Sequence, residues 1–319
     1  MDRRRFLGMA AAAGTVALLG CERREPLLRV SGITWIGYEP LFLADQLDLL
    51  PPERIRLIES PSNTNSLMQL ASGEVEAATL TLDEFILARA GGIPVDIVLV
   101  FDTSDGADVV MVRPGIETPA ALRDCRIGVE DTAAGALMLA RTLEAGGLTR
   151  DDIEPIPMSG GEQLAAYRDG EVDAVISYEP HASRLANAGA RRLYDSRAFP
   201  GLIADVLAVR HEAIERMPRT LRMLVDRYFE ALARLRSNPG RAHVLIAPRL
   251  GLTIDELTRA FEGVNLLDIR DNHRWLDGEQ RLLRSTATTV ATIMEKNRLI
   301  DTPPELGRLG TPRFLPEAP

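Results

Sequence analysis

Residues 31–44 read SGITWIGYEPLFLA, and this stretch predicts a buried strand, a tight aromatic turn and the start of a helix. Gly37 permits a turn that a bulkier residue would strain. Pro40 suits the first turn of a helix, where its missing N–H is not needed. Trp35 and Tyr38 are therefore predicted at the carboxyl end of a strand, which is where open α/β sheets bind ligands. Both rings would equally suit a cap over the hydrophobic core.

Strand-like and helix-like runs alternate outward from this stretch. The run at residues 96–101, DIVLVF, is apolar throughout, as is typical of a strand covered on both faces. Residues 102–106, DTSDG, are predicted to form the loop that follows. From residue 211 onward the pattern is helical. The alternation favours βαβ units and a mostly parallel sheet with flanking helices.

Composition places the chain among soluble globular proteins. The 319 residues are 45% apolar and 26% charged, with a formal net charge of −9, which is ordinary for a soluble protein with enough length for two cores. The acidic balance argues against nucleic acid as a partner.

The N-terminus is predicted to be a targeting segment and not part of the fold. Residues 1–20 have a basic start and an apolar run that is short for a membrane span, and residues 3–7 (RRRFL) resemble a twin-arginine export signal. Residues 18–21 (LLGC) resemble a lipobox, in which Cys21 is lipidated, and residues 21–26 would then form a short tether. An ordinary secretory signal with a chance cysteine is the alternative.

No metal or cofactor site and no catalytic group is predicted. The four histidines are scattered through different predicted elements, and the two cysteines are Cys21 and Cys125. With Cys21 acylated, Cys125 has no partner for a disulfide, and its place beside a predicted strand suits a small buried apolar residue.

The segments WIGYEPLFLADQLDLL, SGEVEAATLTLDE (Ser72–Glu84), Pro114–Leu148 and Asp169–Ser196 occur in an order and spacing that resemble one known group. They are similar to the periplasmic substrate-binding proteins of ABC importers, in the NMT1/THI5-like family of nitrate, sulfonate, taurine and thiamine-precursor binders. The resemblance covers most of residues 27–210.

This resemblance implies a two-lobe periplasmic-binding-protein fold of type II. Lobe one would comprise residues 27–110 plus 206–319 and lobe two residues 111–205, joined by a hinge of two chain crossings. It further implies a monomer that captures a small-molecule solute in the cleft, closes on it, and delivers it to an ABC permease. The lipid anchor would hold the exported protein at the cell membrane, facing the periplasm or the outer surface.

Strand ends and helix starts that would face the cleft supply the candidate ligand-binding residues. They are aromatic groups for stacking, helix N-terminal groups for a polar oxygen or an anion, and carboxylates that follow strands. The alternative role for each carboxylate is that of a helix cap or of a solvated charge on the surface. The candidates are Trp35, Tyr38, Ser62, Asn63, Thr64, Asp83, Asp102, Glu130, Thr132, Ala133 and Glu179.

Charge in these segments favours a ligand with N–H groups or cationic nitrogen over a simple anion. The only lysine is Lys296, and no arginine occurs in the predicted pocket segments, which are residues 35–38, 62–64, 102–106 and 130–135. A buried carboxylate, however, needs a hydrogen-bond donor or a cation as its partner. A pyrimidine, an amine or a zwitterion would fit.

Two other functions are compatible with the sequence. One is an enzyme on the same fold, such as a THI5-type pyrimidine synthase or a menaquinone-pathway enzyme, for which bound iron or a reactive base would be the sign. The other is a ligand-sensing subunit.

Overall fold

Two β-sheets organise the chain, of which the computed structural model describes residues 24–318. The predicted signal at residues 1–20 and Cys21 therefore lie outside the described residues. The strands of the described chain are β1 (Leu28–Gly32), β2 (Ile55–Glu59), β3 (Ala77–Thr81), β4 (Val95–Ser104), β5 (Asp108–Val112), β6 (Arg126–Val129), β7 (Glu154–Pro157), β8 (Ala174–Tyr178), β9 (Arg191–Asp195), β10 (Ala204–Arg210) and β11 (Val264–Leu266).

Helices flank both sheets. Those of the described chain are α1 (Glu39–Gln46), α2 (Asn63–Ser72), α3 (Leu82–Ala90), α4 (Ala133–Gly146), α5 (Gly160–Asp169), α6 (His181–Asn187), α7 (His211–Arg216), α8 (Pro218–Ser237), α9 (Pro239–Leu250), α10 (Ile254–Phe261), α11 (Ile269–Leu276) and α12 (Arg281–Lys296). The long helix α8 packs against α1, so the aromatic turn that precedes α1 is held by the main core. Within residues 24–318 no helix has both the length and the apolar character needed to cross a membrane.

The sheets are mixed, and this corrects the prediction of mostly parallel pairing. The six-stranded sheet has the order β11-β4-β10-β3-β1-β2 and the five-stranded sheet the order β7-β6-β8-β5-β9. Of the nine strand pairs in the described chain, four are parallel and five antiparallel. Two of the antiparallel pairs arise because the returning strand β10 inserts between β3 and β4 and runs antiparallel to both. Two more arise because β5 runs antiparallel to both β8 and β9.

Some segments differ from the sequence-based prediction. Residues 102–104 continue β4 and are not loop, because β10 and β11 pair with them from either side. Strands β9 and β11 and helix α11 were not predicted. Strand β11 has only three residues, and β9 carries two arginines and an aspartate in five residues.

The chain passes between the sheets twice. It leaves the six-stranded sheet after Ser104, enters the five-stranded sheet at Asp108, and returns between Asp195 and Ala204. Both connections are short, so they hold the carboxyl ends of several strands of one sheet against those of the other. The space between these strand ends is the cleft described below.

Candidate ligand-binding cleft

A cleft of about 540 Å³, part of it open to solvent, lies between the two sheets. Residues from both sheets line it: Ile33, Trp35, Asn63, Thr81, Asp108, Glu130, Thr132, Ala134, Gly135, Met138, Ile176, Ser177, Tyr178, Ile203 and Asp205. None of these lining residues of the described chain is a lysine or an arginine.

The aromatic turn forms one wall of the cleft. Trp35 precedes a single 3₁₀ turn, Ile36–Tyr38, and the N–H of Tyr38 donates to the carbonyl of Trp35 at 3.1 Å. The indole Nε1 of Trp35 donates to Oδ2 of Asp102 at 3.3 Å. A Cβ atom at Gly37 would overlap both the Asp102 carboxylate and the Trp35 indole nitrogen. Glycine is therefore required here for close approach of the backbone.

Tyr38 lies behind this wall and does not line the cleft. Its side chain is fully buried, and its hydroxyl donates to Oδ1 of Asp205 at 2.5 Å. Its ring packs edge-to-face on Phe101 with centroids 5.2 Å apart. Tyr38 thus orients a cleft carboxyl and fills the core at the same time.

Two buried carboxyls face each other below Trp35. The pairing of β4 with β10 places Asp102 directly opposite Asp205. Both side chains are almost completely buried. Burial, opposed by hydrogen bonds including that from Trp35, raises the pKa of Asp102 to about 7. Burial and the neighbouring charge of Asp102 raise the pKa of Asp205 far above its usual range.

Glu130 and Tyr178 form the opposite wall. Oε1 of Glu130 accepts from the backbone N–H of Gly160 at 2.6 Å and from the Tyr178 hydroxyl at 3.2 Å. Burial raises the pKa of Glu130 and these two hydrogen bonds oppose the rise. The Tyr178 ring meets that of Trp35 across the cleft, edge-to-face, with centroids 6.0 Å apart.

Two helix N-termini point toward the cleft, one from each side. Asn63 is the first residue of α2, and Oδ1 of its nearly buried side chain has no hydrogen-bond partner in the described chain. Thr132 is the N-cap of α4, and its Oγ1 accepts from the N–H of Gly135 at 3.0 Å. Ala133 follows as the first residue of α4 and is buried.

Further carboxyls adjoin the lining residues. Asp83 and Glu84 begin α3 and are buried, and Glu84 Oε2 accepts from the N–H and hydroxyl of Thr81. Burial raises the pKa of Asp83 to about 6. Burial, together with the nearby charges of Asp83 and Glu130, raises the pKa of Asp108 to about 7.

Of the eleven predicted residues, four line the cleft, and Tyr38, Asp83, Asp102 and Ala133 lie next to it but outside the lining. The other three, Ser62, Thr64 and Glu179, make the following contacts. Glu179 is buried outside the lining, where its Oε2 accepts from the N–H of Ser183 at 3.1 Å and its Oε1 lies 3.8 Å from Arg192. Ser62 caps α2 by accepting from the N–H of Asn65. The Thr64 hydroxyl donates to the carbonyl of Asp131 at 3.4 Å, which joins the two sides of the cleft.

Sequence reasoning did not select Tyr178, Thr81, Asp108 or Asp205 for the site. The available signal for Asp205 was a single carboxylate within the apolar strand ADVLAVR. Its partner Asp102 is 103 positions earlier, so only the pairing of β10 with β4 shows that the two carboxyls meet. Within residues 24–318, no group of three or more His, Cys, Asp and Glu residues is arranged to hold a metal ion.

Known proteins resemble this chain in sequence and in fold. One relative is named as an aliphatic sulfonates-binding protein of Escherichia coli (strain K12). It is 27% identical to this chain over 68% of this chain and 71% of its own length. The alkanesulfonate-binding protein SsuA from Xanthomonas axonopodis pv. citri, solved with MOPS bound, superposes with a TM-score of 0.73 at 22% identity, over 90% of this chain and 97% of its own. The desulfurization enzyme DSZB has the same fold, with a TM-score of 0.63 at 19% identity over 90% and 97% of the two chains.

A family model matches the sequence over most of its length. The match spans residues 23–247, from the residue before the described region to the last turn of α9. It includes the aromatic turn, the cleft carboxyls and both chain crossings. The chain belongs to the NMT1-like family.

Proposed function

We propose that this protein is the solute-binding component of an ABC importer, which captures a small organic solute containing nitrogen or sulfur between its two lobes and hands it to a permease. The observation that supports this most is the cleft itself, which draws its lining from both sheets and lies beside the two short chain crossings. A site of this kind closes when the sheets rotate together about the crossings. The sulfonate-binding relatives support the same role.

We propose binding without chemical conversion. DSZB shares the fold, so the fold alone does not distinguish a binder from an enzyme. Within residues 24–318 the single cysteine, Cys125, is not among the lining residues. His181, next to Tyr178, has its pKa lowered to about 4 by burial.

The test is a thermal-shift screen of the purified protein against alkylsulfonates, taurine, nitrate, pyrimidines and amines, followed by mass spectrometry of any bound compound. We expect stabilisation by at least one class, recovery of that compound unchanged, and loss of the effect in Trp35→Ala and Asn63→Ala. Conversion of the compound to a product would contradict the proposal, and so would binding that both variants retain.

We also propose that the protein is exported as a monomer and anchored by a lipid on Cys21. The basis is the sequence of residues 1–21, with its twin-arginine-like and lipobox-like motifs. Cys21→Ala should then move the protein from the membrane fraction to the soluble fraction. A wild-type protein without the mass of a lipid would contradict the anchor and leave the solute-binding proposal standing.

A further inference from the structure

The cleft and the layer directly behind it carry a surplus of hydrogen-bond acceptors. Six buried oxygens there have no hydrogen-bond partner among residues 24–318: Asn63 Oδ1, Asp83 Oδ2, Glu84 Oε1, Asp102 Oδ1, Asp108 Oδ2 and Asp205 Oδ2. Asn63, Asp108 and Asp205 line the cleft itself. Buried acceptors of this kind are costly unless something donates to them.

The nearby donors are already engaged with other carboxyl oxygens. The Trp35 indole donates to Asp102, the Tyr38 hydroxyl to Asp205 and the Tyr178 hydroxyl to Glu130. Asp205, whose pKa is raised far above its usual range, holds a proton that can hydrogen-bond to Asp102. For the cleft-lining oxygens of Asn63 and Asp108, a ligand is the available source of donors.

The carboxyls also form one electrostatic group. After burial, the charges of Asp83 and Glu130 raise the pKa of Asp108, and the charge of Asp83 raises that of Glu84. Groups that raise each other's pKa in this way are stabilised together by a single nearby positive charge. No lysine or arginine of the described chain lines the cleft to supply it.

The aromatic side chains are compatible with a cation. Trp35 and Tyr178 flank the same space, and aromatic rings attract cations that lie over their faces. The neighbouring His181 adds no competing charge, because burial keeps its pKa well below neutrality.

The two helix N-termini favour an anion, but their effect on a ligand is weaker than that of the carboxyls. At each of them an N-cap hydroxyl, of Ser62 or Thr132, already accepts one of the free N–H groups. The partial charge that remains at a helix end is about half a unit. A bound cation favours loss of the protons that burial retains on Asp102, Asp108, Glu130 and Asp205, and each carboxyl that loses its proton carries a full negative charge.

We propose that the cleft takes a small organic cation bearing two or more N–H donors, such as an amine or an amidine, and excludes sulfonates and nitrate. This inference rests on the proposed solute-binding function and specifies its ligand. The cation would lie beside the Trp35–Tyr178 pair and donate to Asp205, Asp108 and Asn63. Its ligand class would thus differ from that named for the sulfonate-binding relatives.

A comparison of small organic cations with anions, including the similarly shaped benzamidine and benzenesulfonate, tests this most directly. Benzamidine, benzylamine and agmatine are compared with benzenesulfonate, ethanesulfonate and nitrate by thermal shift and isothermal titration calorimetry. We expect at least one of the three cations to bind and none of the three anions. Failure of all three cations to bind would overturn the inference, as would binding of any of the anions.

Charge-neutral variants locate the effect in the cleft. Asp205→Asn keeps an oxygen that can accept from Tyr38, and Glu130→Gln keeps one for Tyr178, so both variants should fold. Each should weaken binding of the cation more than tenfold, the order expected for a lost charged hydrogen bond. Asp151→Asn and Glu117→Gln, which neutralise exposed carboxyls outside the lining, should bind as the wild type does. Unchanged affinity in both cleft variants would contradict the inference.

Proton release gives an independent readout. The titratable groups around the site are Asp83, Glu84, Asp102, Asp108, Glu130, Asp205, Tyr38, Tyr178 and His181. A bound cation lowers the pKa of the carboxyls that burial had raised, so protons should leave on binding and affinity should rise between pH 6 and pH 8, by up to about tenfold per pH unit for each proton. Calorimetry in buffers of different ionisation enthalpy measures the release, and its absence on cation binding would contradict the inference.

The screen separates this inference from the function on which it rests. A sulfonate that binds the wild type but not Asn63→Ala would overturn the ligand class and leave the solute-binding role intact. Failure of every compound in both panels would count against both.

Discussion

The meeting of Asp102 and Asp205 is the most informative contact between individual residues. Two carboxyls directly opposite each other on paired strands are destabilising when both are charged, and here both are buried as well. Residues that cost stability persist where function needs them. We therefore expect that neutralising one member of the pair increases the stability of the protein and weakens ligand binding.

Asp102→Asn should make the ligand-free protein more stable at pH 8. The pKa of Asp102 is about 7 in the folded protein and about 3.9 in an unfolded chain, so the folded state binds more protons between those values and its stability falls as pH rises through that window. Asparagine does not titrate and still offers an oxygen to Trp35. The rise of about three pKa units corresponds to a gain of up to about 4 kcal/mol in the free energy of unfolding at pH 8, with little change near pH 4.

Thermal melts at both pH values check this, with the exposed Asp151→Asn as the matched control. A melting temperature at pH 8 equal to or below that of the wild type would show that the Asp102 carboxyl is not strained by burial. The result does not depend on knowing the ligand.

At the scale of elements, the start of helix α8 is completed by a residue distant in sequence. The N-cap of α8, Met217, makes no side-chain cap. Instead Glu25 accepts from the N–H of Arg219 at 3.0 Å and from the N–H and hydroxyl of Thr220, both at 2.7 Å. Glu25 falls within the predicted tether at residues 21–26, so any free tether would have to end before it.

Glu25→Ala should lower the free energy of unfolding by about 1–2 kcal/mol, because it removes a carboxylate that caps a core helix. Urea denaturation measures the loss, and Glu53→Ala, at an exposed glutamate, is the control expected to change little. Equal stability of Glu25→Ala and the control would mean that the segment before β1 does not support the fold.

At the scale of the whole molecule, contacts cross the cleft on more than one side. Thr64 donates to the carbonyl of Asp131 near the aromatic wall, and the side-chain amide of Asn187 in α6 donates to Glu256 in α10 at 2.5 Å. Both of these hydrogen bonds are exposed, so each contributes little to holding the two sheets together.

Binding of a solute should therefore shift the molecule toward a closed form. Small-angle scattering with and without a ligand found in the screen should show a smaller radius of gyration when it is bound. Trp35→Ala, mixed with the same compound, should show no decrease. A radius that is the same with and without ligand in the wild type would contradict hinge closure.

The sequence by itself determined the α/β class, the aromatic turn before α1, and several helix starts. These follow from local causes: the period of apolar residues, a glycine where the backbone must pass close, and proline or threonine at helix ends. Trp35, Asn63, Glu130 and Thr132 were selected in this way, and the structure places all four in the lining of one cleft.

Only the tertiary structure decided which carboxyls meet. Asp205 pairs with Asp102 because β10 returns between β3 and β4, and no local pattern encodes that insertion. Tyr178 reaches Trp35 because the chain crosses between the sheets, while Glu179, its neighbour in sequence, points out of the lining toward Arg192. Periodicity fixes which residues lie at strand ends, but pairing and burial between distant segments fix their partners and their charge.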